Sequence, residues 1–249
     1  MTAVDVASPP RVRDVVRAEV TKALTHPVTA PAVLGALAVN TALAVIVTSD
    51  VVRLGTGGEP VSLEAFPGLL VAPVYLLLIA VATVAGSEHT TGQHRVTLTV
   101  VPRRGRLAVA QLLALVAVST PAALLALAPA RLVLARQDGP GLADGALDVG
   151  RWVLAYVLLS VVAYGLTSVV RSATTALGVL AALPVLVATG ALPWPRVVRF
   201  LPHEAATAVT GVADGAVTAL TSGVAVLVLG GWAVLAAAAH TASLLHREA

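Results

Sequence analysis

The chain has 249 residues, of which 57% are hydrophobic and 12% charged, and its mean hydropathy is +0.91. These values exclude an ordinary soluble protein, because so few polar side chains could not cover a folded core of this size. The absence of cysteine excludes disulfides, cysteine-ligated metals and a thiol nucleophile. The net charge of +3 comes from dispersed basic residues, a distribution that predicts membrane orientation and no nucleic-acid partner.

The first 27 residues form a polar segment with one two-faced helical pattern. Apolar side chains recur at helical spacing from Val12 to Leu24, and charged or polar side chains fall opposite them. This pattern predicts a cytoplasmic amphipathic interfacial helix whose residues Arg13, Arg17 and Lys22 lie at anionic lipid headgroups. The alternative is a simple positively charged anchor with no further task.

Residues 28–249 contain apolar runs that are long enough to cross a membrane, which takes roughly 20 helical residues. The predicted fold is therefore all-α, a polytopic membrane protein with six transmembrane helices. The predicted spans are Val28 to Ser49, Phe66 to Gly86, Leu107 to Ala130, Trp152 to Val170, Ser172 to Leu192, and about Val217 to Ala239.

The basic residues of the connections predict how these spans are oriented. Ten Lys and Arg residues fall on the side of the two termini and six on the other side, where acidic residues dilute them. Because basic residues near span ends resist translocation, both termini are predicted to be cytoplasmic, in a bacterial plasma membrane. On the outer side, the connection from Pro193 to about Ala216 either re-enters the membrane or lies at the headgroups, anchored by Trp194.

The connection between the second and third predicted spans, residues 87–106, carries the densest polar chemistry of the chain. Pro102 and Gly105 punctuate a basic turn into the third span. A bare topological turn needs only a few residues, so we interpret this loop as a docking surface; the alternative is an orientation signal.

The string Gly86-Ser87-Glu88-His89-Thr90-Thr91-Gly92, followed by Thr97-Leu98-Thr99 and by Val101-Pro102-Arg103-Arg104-Gly105-Arg106, resembles the intracellular loop of actinobacterial ABC-2 type transporter permeases. In that family the loop forms a coupling helix that fits a cleft of a separate ATP-binding subunit. The resemblance implies that the contacts with this subunit are made by Glu88, Thr91, Gly92, Thr97, Leu98, Pro102, Arg103 and Arg104. Two positions depart from the family pattern, since His89 stands where an aromatic residue is frequent and Gln111 where a lysine is frequent.

A division of labour also follows from the chain itself. A phosphate-binding loop needs glycines before its lysine, and the only lysine, Lys22, has none near it. The chain is thus predicted to be no enzyme and to carry no cofactor, with ATP and magnesium bound by the partner subunit. His89 and His94 are five residues apart, which does not place two ligands on one helix face, so no metal site is predicted. Charge-free spans disfavour proton-coupled transport and intramembrane catalysis.

The resulting functional prediction is the permease subunit of an ATP-driven ABC exporter for an amphiphilic, drug-like or lipid-like substrate. Its predicted partners are an ABC ATP-binding subunit, a second permease chain in a homodimer or heterodimer, and membrane lipids. The alternative is a membrane scaffold or immunity protein that transports nothing. An adjacent reading frame with a glycine-rich phosphate loop would distinguish the two.

Overall fold

A computed structural model describes residues 11–49, 53–54, 61–62, 67–90, 103–138, 142–212 and 219–246. These residues are helical apart from turns and one antiparallel pairing of two-residue strands, β1 (Arg53–Leu54) with β2 (Val61–Ser62). The helices in chain order are α1 (Val12–Thr25), α2 (Thr29–Ser49), α3 (Pro67–Val71), α4 (Val74–Thr90), α5 (Arg104–Asp138), α6 (Leu142–Val170), α7 (Ala173–Ala188), α8 (Pro195–Val198), α9 (Pro202–Thr210) and α10 (Ser222–His246).

Four helices, α2, α5, α6 and α10, are long and apolar enough to cross a membrane. They overlap the first, third, fourth and sixth predicted spans. The second and fifth predicted spans overlap α4 and α7, which are apolar but have only 17 and 16 residues. The chain is therefore a helical, membrane-embedded protein with four long candidate spans and two shorter apolar helices.

The sequence limits the length of both shorter helices, α4 at its beginning and α7 at its end. Between α3 and α4 the chain turns at Ala72 and Pro73, because proline has no N–H to continue the helical hydrogen bonds. Past the end of α7, Gly190 has φ +70°, a left-handed conformation that glycine adopts without strain. The second predicted span is thus split near its start, and the fifth ends four residues early.

Helix α6 is the central helix of the bundle. The most apolar window of α6 is 56% buried, against 33% or less for α2, α5 and α10. It packs against α4, α5, α7, α9 and α10. Its side chains Tyr156, Ser160 and Thr167 are among the largest that are fully buried. The other long helices keep one apolar face outward, as helices in contact with lipid do.

Several helix ends meet at one end of the bundle, which we call the α1 end. There Arg104, in the first turn of α5, donates a hydrogen bond from Nη1 to the main-chain oxygen of Leu244, near the end of α10, at 3.1 Å. Gly86 of α4 lies against Ala173, the first residue of α7. At the opposite end, Arg131 of α5 donates from Nε to Asp148 Oδ2 of α6 at 2.7 Å.

Helix α1 packs against α5 through its apolar face. Val15 is buried in a cluster with Leu107 and Ala110, and Val12 and Val16 pack against the same cluster. The apolar face of α1 therefore covers the first turns of α5. Arg13 and Arg17 are exposed on the other side of α1, as the two-faced pattern predicts.

The connection before α10 contains two short helices, α8 and α9. Helix α9 packs against α6 and α10, and all of its residues except Glu204 are buried. Trp232 of α10 donates from Nε1 to the main-chain oxygen of Phe200 at 2.8 Å, which fixes the turn between α8 and α9. Helix α9 is thus part of the bundle, whereas Trp194, just before α8, is exposed.

Candidate functional site

Four polar side chains from three helices meet at the α1 end. Lys22 of α1 forms ion pairs with Glu19, one turn earlier, and with Glu88 in the last turns of α4. Gln111 of α5 donates from Nε2 to Glu88 Oε2 at 3.2 Å. We call Glu19, Lys22, Glu88 and Gln111 the ion-pair cluster. It joins the surface helix to two helices of the bundle.

Glu88 and Gln111 are the buried members of the ion-pair cluster, and Glu19 and Lys22 are half-buried. Glu88 is 6% exposed and Gln111 is 2% exposed. Burying a carboxylate is costly unless a cation and hydrogen-bond donors satisfy it, and Lys22 and Gln111 supply both to Glu88. The amide oxygen of Gln111 is buried and has no hydrogen-bond partner within the described part of the chain. The cluster therefore keeps an unused acceptor in its interior.

Burial and charge act in opposite directions on the ionisable groups of α1. Burial alone would lower the pKa of Lys22, but the carboxylates of Glu88 and Glu19 outweigh it, so the pKa lies above the ordinary 10.5. Burial raises the pKa of Glu19 above its ordinary 4.5; Lys22 and a hydrogen bond from Gln111 oppose this rise, and Glu88 adds to it. Lys22 is thus held charged, whereas the ionised form of Glu19 is penalised.

A cavity of about 60 Å³ adjoins the ion-pair cluster. Helices α1, α2, α4, α5 and α6 line it, with Glu19, Lys22 and Gln111 at its polar part. Ser119 of α5 also lines the cavity, and its buried Oγ has no partner among the described residues. The remaining wall is mostly Ala, Val and Leu. An apolar space with a few polar groups is the usual form of a small-molecule site.

Glu88 also borders a second pocket, of about 10 Å³, between α4, α6 and α10. Tyr164, Arg171 and His240 line this pocket. The rings of Tyr164 and His240 meet edge to face, with centroids 5.0 Å apart. Glu88 therefore lies where α1 and four helices of the bundle, α4, α5, α6 and α10, converge.

The structure separates the residues predicted for docking and for headgroup contact. Arg103 is exposed, whereas Arg104 is half-buried and holds the end of α10. Glu88, expected in a loop, lies in helix α4 and is buried, since Lys22 and Gln111 neutralise and solvate it. Lys22, expected at lipid headgroups, belongs to the ion-pair cluster. Five predicted positions lie outside the described residues: Thr91, Gly92, Thr97, Leu98 and Pro102.

Sequence reasoning missed Glu19 and Gln111 as members of the site. Glu19 precedes Lys22 by one helical turn, a spacing at which an acid and a base meet on one helix face. Gln111 is an amide near the start of a long apolar run, where a polar group needs a partner from another helix. Both signals were present in the sequence, but neither indicates Glu88 as the shared partner.

The opposite end of the bundle holds a larger cavity of about 280 Å³. Asn40, Arg131 and Trp152 line it. The Arg131 guanidinium lies 4.8 Å from the centre of the Trp152 ring and pairs with Asp148. Asn40 Oδ1 accepts a hydrogen bond from Tyr156 at 3.3 Å. The polar side chains at this end are therefore mostly engaged with each other.

In comparisons with known proteins, no family model matches the chain, and no curated protein is significantly similar to it.

Proposed function

We propose that the chain is the membrane-spanning permease subunit of an ATP-driven exporter. In this proposal it has six spans and cytoplasmic termini, and a separate ATP-binding subunit docks on residues 87–106. The observation that carries the proposal is the ion pair between the half-buried Lys22 and the buried Glu88. It ties the surface helix to the helix end that leads into the proposed docking loop.

The mechanical argument follows from the position of Glu88. Helix α4 continues through Thr90, so the loop begins directly after the helix turn that carries Glu88. Lys22 joins this turn to α1, and Gln111 joins it to α5. A partner that displaces the loop would therefore move α1, α4 and α5 together, as a rigid-body change between two states requires.

Contacts between helix ends support the six-span arrangement. The end of α4, the beginning of α5, the beginning of α7 and the end of α10 all lie at the α1 end. Helices α2 and α5 also reach the opposite end, where Asn40 and Arg131 line the larger cavity. With α4 and α7 as crossings, each of these ends falls on the side that the basic residues predict for it.

The proposal places nucleotide chemistry in the partner. Lys22 is the only lysine, and its ammonium is engaged by two carboxylates. A lysine that binds phosphate must present its charge to the nucleotide, so Lys22 is poorly suited to that task. Transport energy would come from ATP hydrolysis in the docked subunit, which would bind two conformations of the permease with different affinities.

The test is to purify the tagged, full-length chain from its native membrane in mild detergent and to measure MgATP hydrolysis in the preparation. We expect ATP hydrolysis that orthovanadate inhibits. Arg103→Glu should reduce the activity recovered per chain, because it reverses an exposed charge in the docking loop. Arg196→Glu, an exposed arginine at the opposite end, is the matched control and should retain the activity.

Two results would overturn the proposal. One is intact wild-type chain that carries no ATP hydrolysis, which would favour the scaffold or immunity alternative. The other is ATP-independent movement of an amphiphilic dye by the chain alone in vesicles, which would make it a carrier in its own right.

A further inference from the structure

The cavity at the ion-pair cluster has one apolar part and one polar part. Leu77, Val81 and Val84 of α4 face it from one side, and Ala114, Leu115 and Val118 of α5 from another. Glu19, Lys22 and Gln111 occupy its polar part. A molecule that fits such a space has an apolar portion for the aliphatic wall and a polar head for the cluster.

The hydrogen-bonding capacity of the cluster indicates the chemistry of that head. Glu19 has Lys22 as its cation within the described residues, and it shares that cation with Glu88. The Gln111 amide donates from Nε2 to Glu88 and also hydrogen-bonds to Glu19, while its Oε1 has no partner among the described residues. An amide oxygen and a carboxylate only accept hydrogen bonds, so the capacity left over is for donors.

We propose that this cavity binds a protonated amine with an apolar tail, whose ammonium group lies between Glu19 and Gln111 Oε1. The inference rests on the proposed function and names the chemical class of its substrate. It depends on Glu19 and Gln111, since Glu88 also borders the pocket that contains Arg171 and His240. A primary ammonium supplies three donors and one positive charge, which matches an acceptor-rich site with a shared cation.

The dimensions of the cavity fit the head and the first part of the tail. Its volume of about 60 Å³ exceeds the roughly 10–15 Å³ that a single water needs. The cavity is partly open, so a longer tail can leave it. Ser119, two helical turns beyond Gln111 along α5, offers a hydroxyl to any further polar group of the ligand.

The ammonium group could belong to a soluble lipophilic amine or to the ethanolamine headgroup of a membrane lipid. Both present the same N–H donors on a cation beside hydrocarbon. Quaternary ammonium compounds have the charge and the tail without the donors. This difference separates recognition by hydrogen bonding from simple attraction between charges.

The experiment measures equilibrium binding of radiolabelled dodecylamine to the full-length chain in phosphatidylcholine nanodiscs, with empty nanodiscs subtracted. We expect saturable binding that dodecyltrimethylammonium displaces poorly. Glu19→Gln should weaken binding about tenfold, the equivalent of about 1.4 kcal/mol. Glu204→Gln is the matched control, because Glu204 is a half-buried carboxylate paired with His203 on α9, and it should bind as the wild type does.

A second arm identifies the source of the amine. If phosphatidylethanolamine in the nanodisc displaces the label, the ligand is a lipid headgroup; if it does not, the ligand is a free amine. Equal binding by wild type and Glu19→Gln, or equal displacement by the quaternary compound, would overturn the proposal. The binding assay uses the chain without its ATPase, so a lack of amine binding would not contradict the proposed exporter function. A lack of ATP hydrolysis in the native preparation would likewise not contradict amine binding.

Discussion

Gly165 of α6 lies directly against the main-chain carbonyl of Ala236 in α10. A Cβ atom added at Gly165 would also come within 2.7 Å of the Ala236 side chain, closer than real Cβ atoms approach one another. The two helices therefore pack backbone to backbone at this point. Small residues that permit such an approach are a common device for joining helices in membranes.

Gly165→Ala should separate α6 from α10 and lower the melting temperature of the purified chain. The expected loss is about 1–3 kcal/mol, as for other overpacked sites. Gly178→Ala is the matched control, because a Cβ at Gly178 meets nothing within 4 Å and alanine favours the helix. If both variants melted at the same temperature, this would contradict the close approach of Gly165 to Ala236.

Lys22→Met should destabilise the α1 end, because Glu19 and Glu88 would remain close together without the cation that they share. Since Lys22 is partly exposed and Glu88 keeps the hydrogen bond from Gln111, the expected loss is about 1–3 kcal/mol. The double variant Lys22→Met with Glu88→Gln should recover much of this loss, since it leaves only one of the two neighbouring carboxylates ionised. Thermal melting of the single and double variants in one detergent measures the coupling. Additive losses would place Lys22 outside the cluster.

The sequence indicated the apolar helices well but the ion-pair cluster poorly. Each long helix follows from a charge-free run of sufficient length, a local property. Glu88 and Lys22 meet only because α1 folds back over α5 and α4, which no local pattern encodes. Ser87 to Thr90 reads as the start of a loop since its residues are polar, yet tertiary packing extends α4 through them. The partners of a polar residue, more than its polarity, decide whether it is buried.

The pKa of Glu19 predicts a pH-dependent difference between the wild type and Glu19→Gln. Burial raises this pKa in the folded chain above 4.5, so ionised Glu19 destabilises the fold and protonated Glu19 does not. At neutral pH, Glu19→Gln should therefore melt at the same or a higher temperature than the wild type. As the pH falls through the folded-state pKa towards 4.5, this advantage should disappear. If the difference in melting temperature between Glu19→Gln and the wild type grew as the pH fell, burial would not raise the pKa of Glu19.

Arg104→Met should loosen the last turns of α10 while leaving α5 intact. Its Nη1 group donates to Leu244 O, one of the final carbonyls of that helix, which otherwise lack an intrahelical donor. Hydrogen exchange of the amides in residues 241–246 should become faster, because the free energy of local opening there should fall by about 1 kcal/mol. Arg103→Met, at the exposed neighbour, is the control and should leave the exchange unchanged.

Cysteine labelling can decide whether α4 and α7 cross the membrane, because the chain has no cysteine of its own. Thr21→Cys reports α1, Arg106→Cys the beginning of α5, and Thr174→Cys the beginning of α7; all three positions are exposed. With six spans these three sites lie in the cytoplasm and resist an impermeant maleimide in intact cells. Ser49→Cys, at the end of α2, should be labelled.

If only the four long helices crossed, α5 would begin and α6 would end on the outer side. Arg106→Cys and Thr174→Cys would then be labelled from outside, although Thr21→Cys would not. The hydrogen bond from Arg104 to Leu244 opposes this outcome, because it holds the beginning of α5 beside the end of α10. In a four-span chain these two helix ends would lie on opposite membrane faces, about 30 Å of hydrocarbon apart. Labelling of all variants in permeabilised cells confirms that each cysteine is reactive.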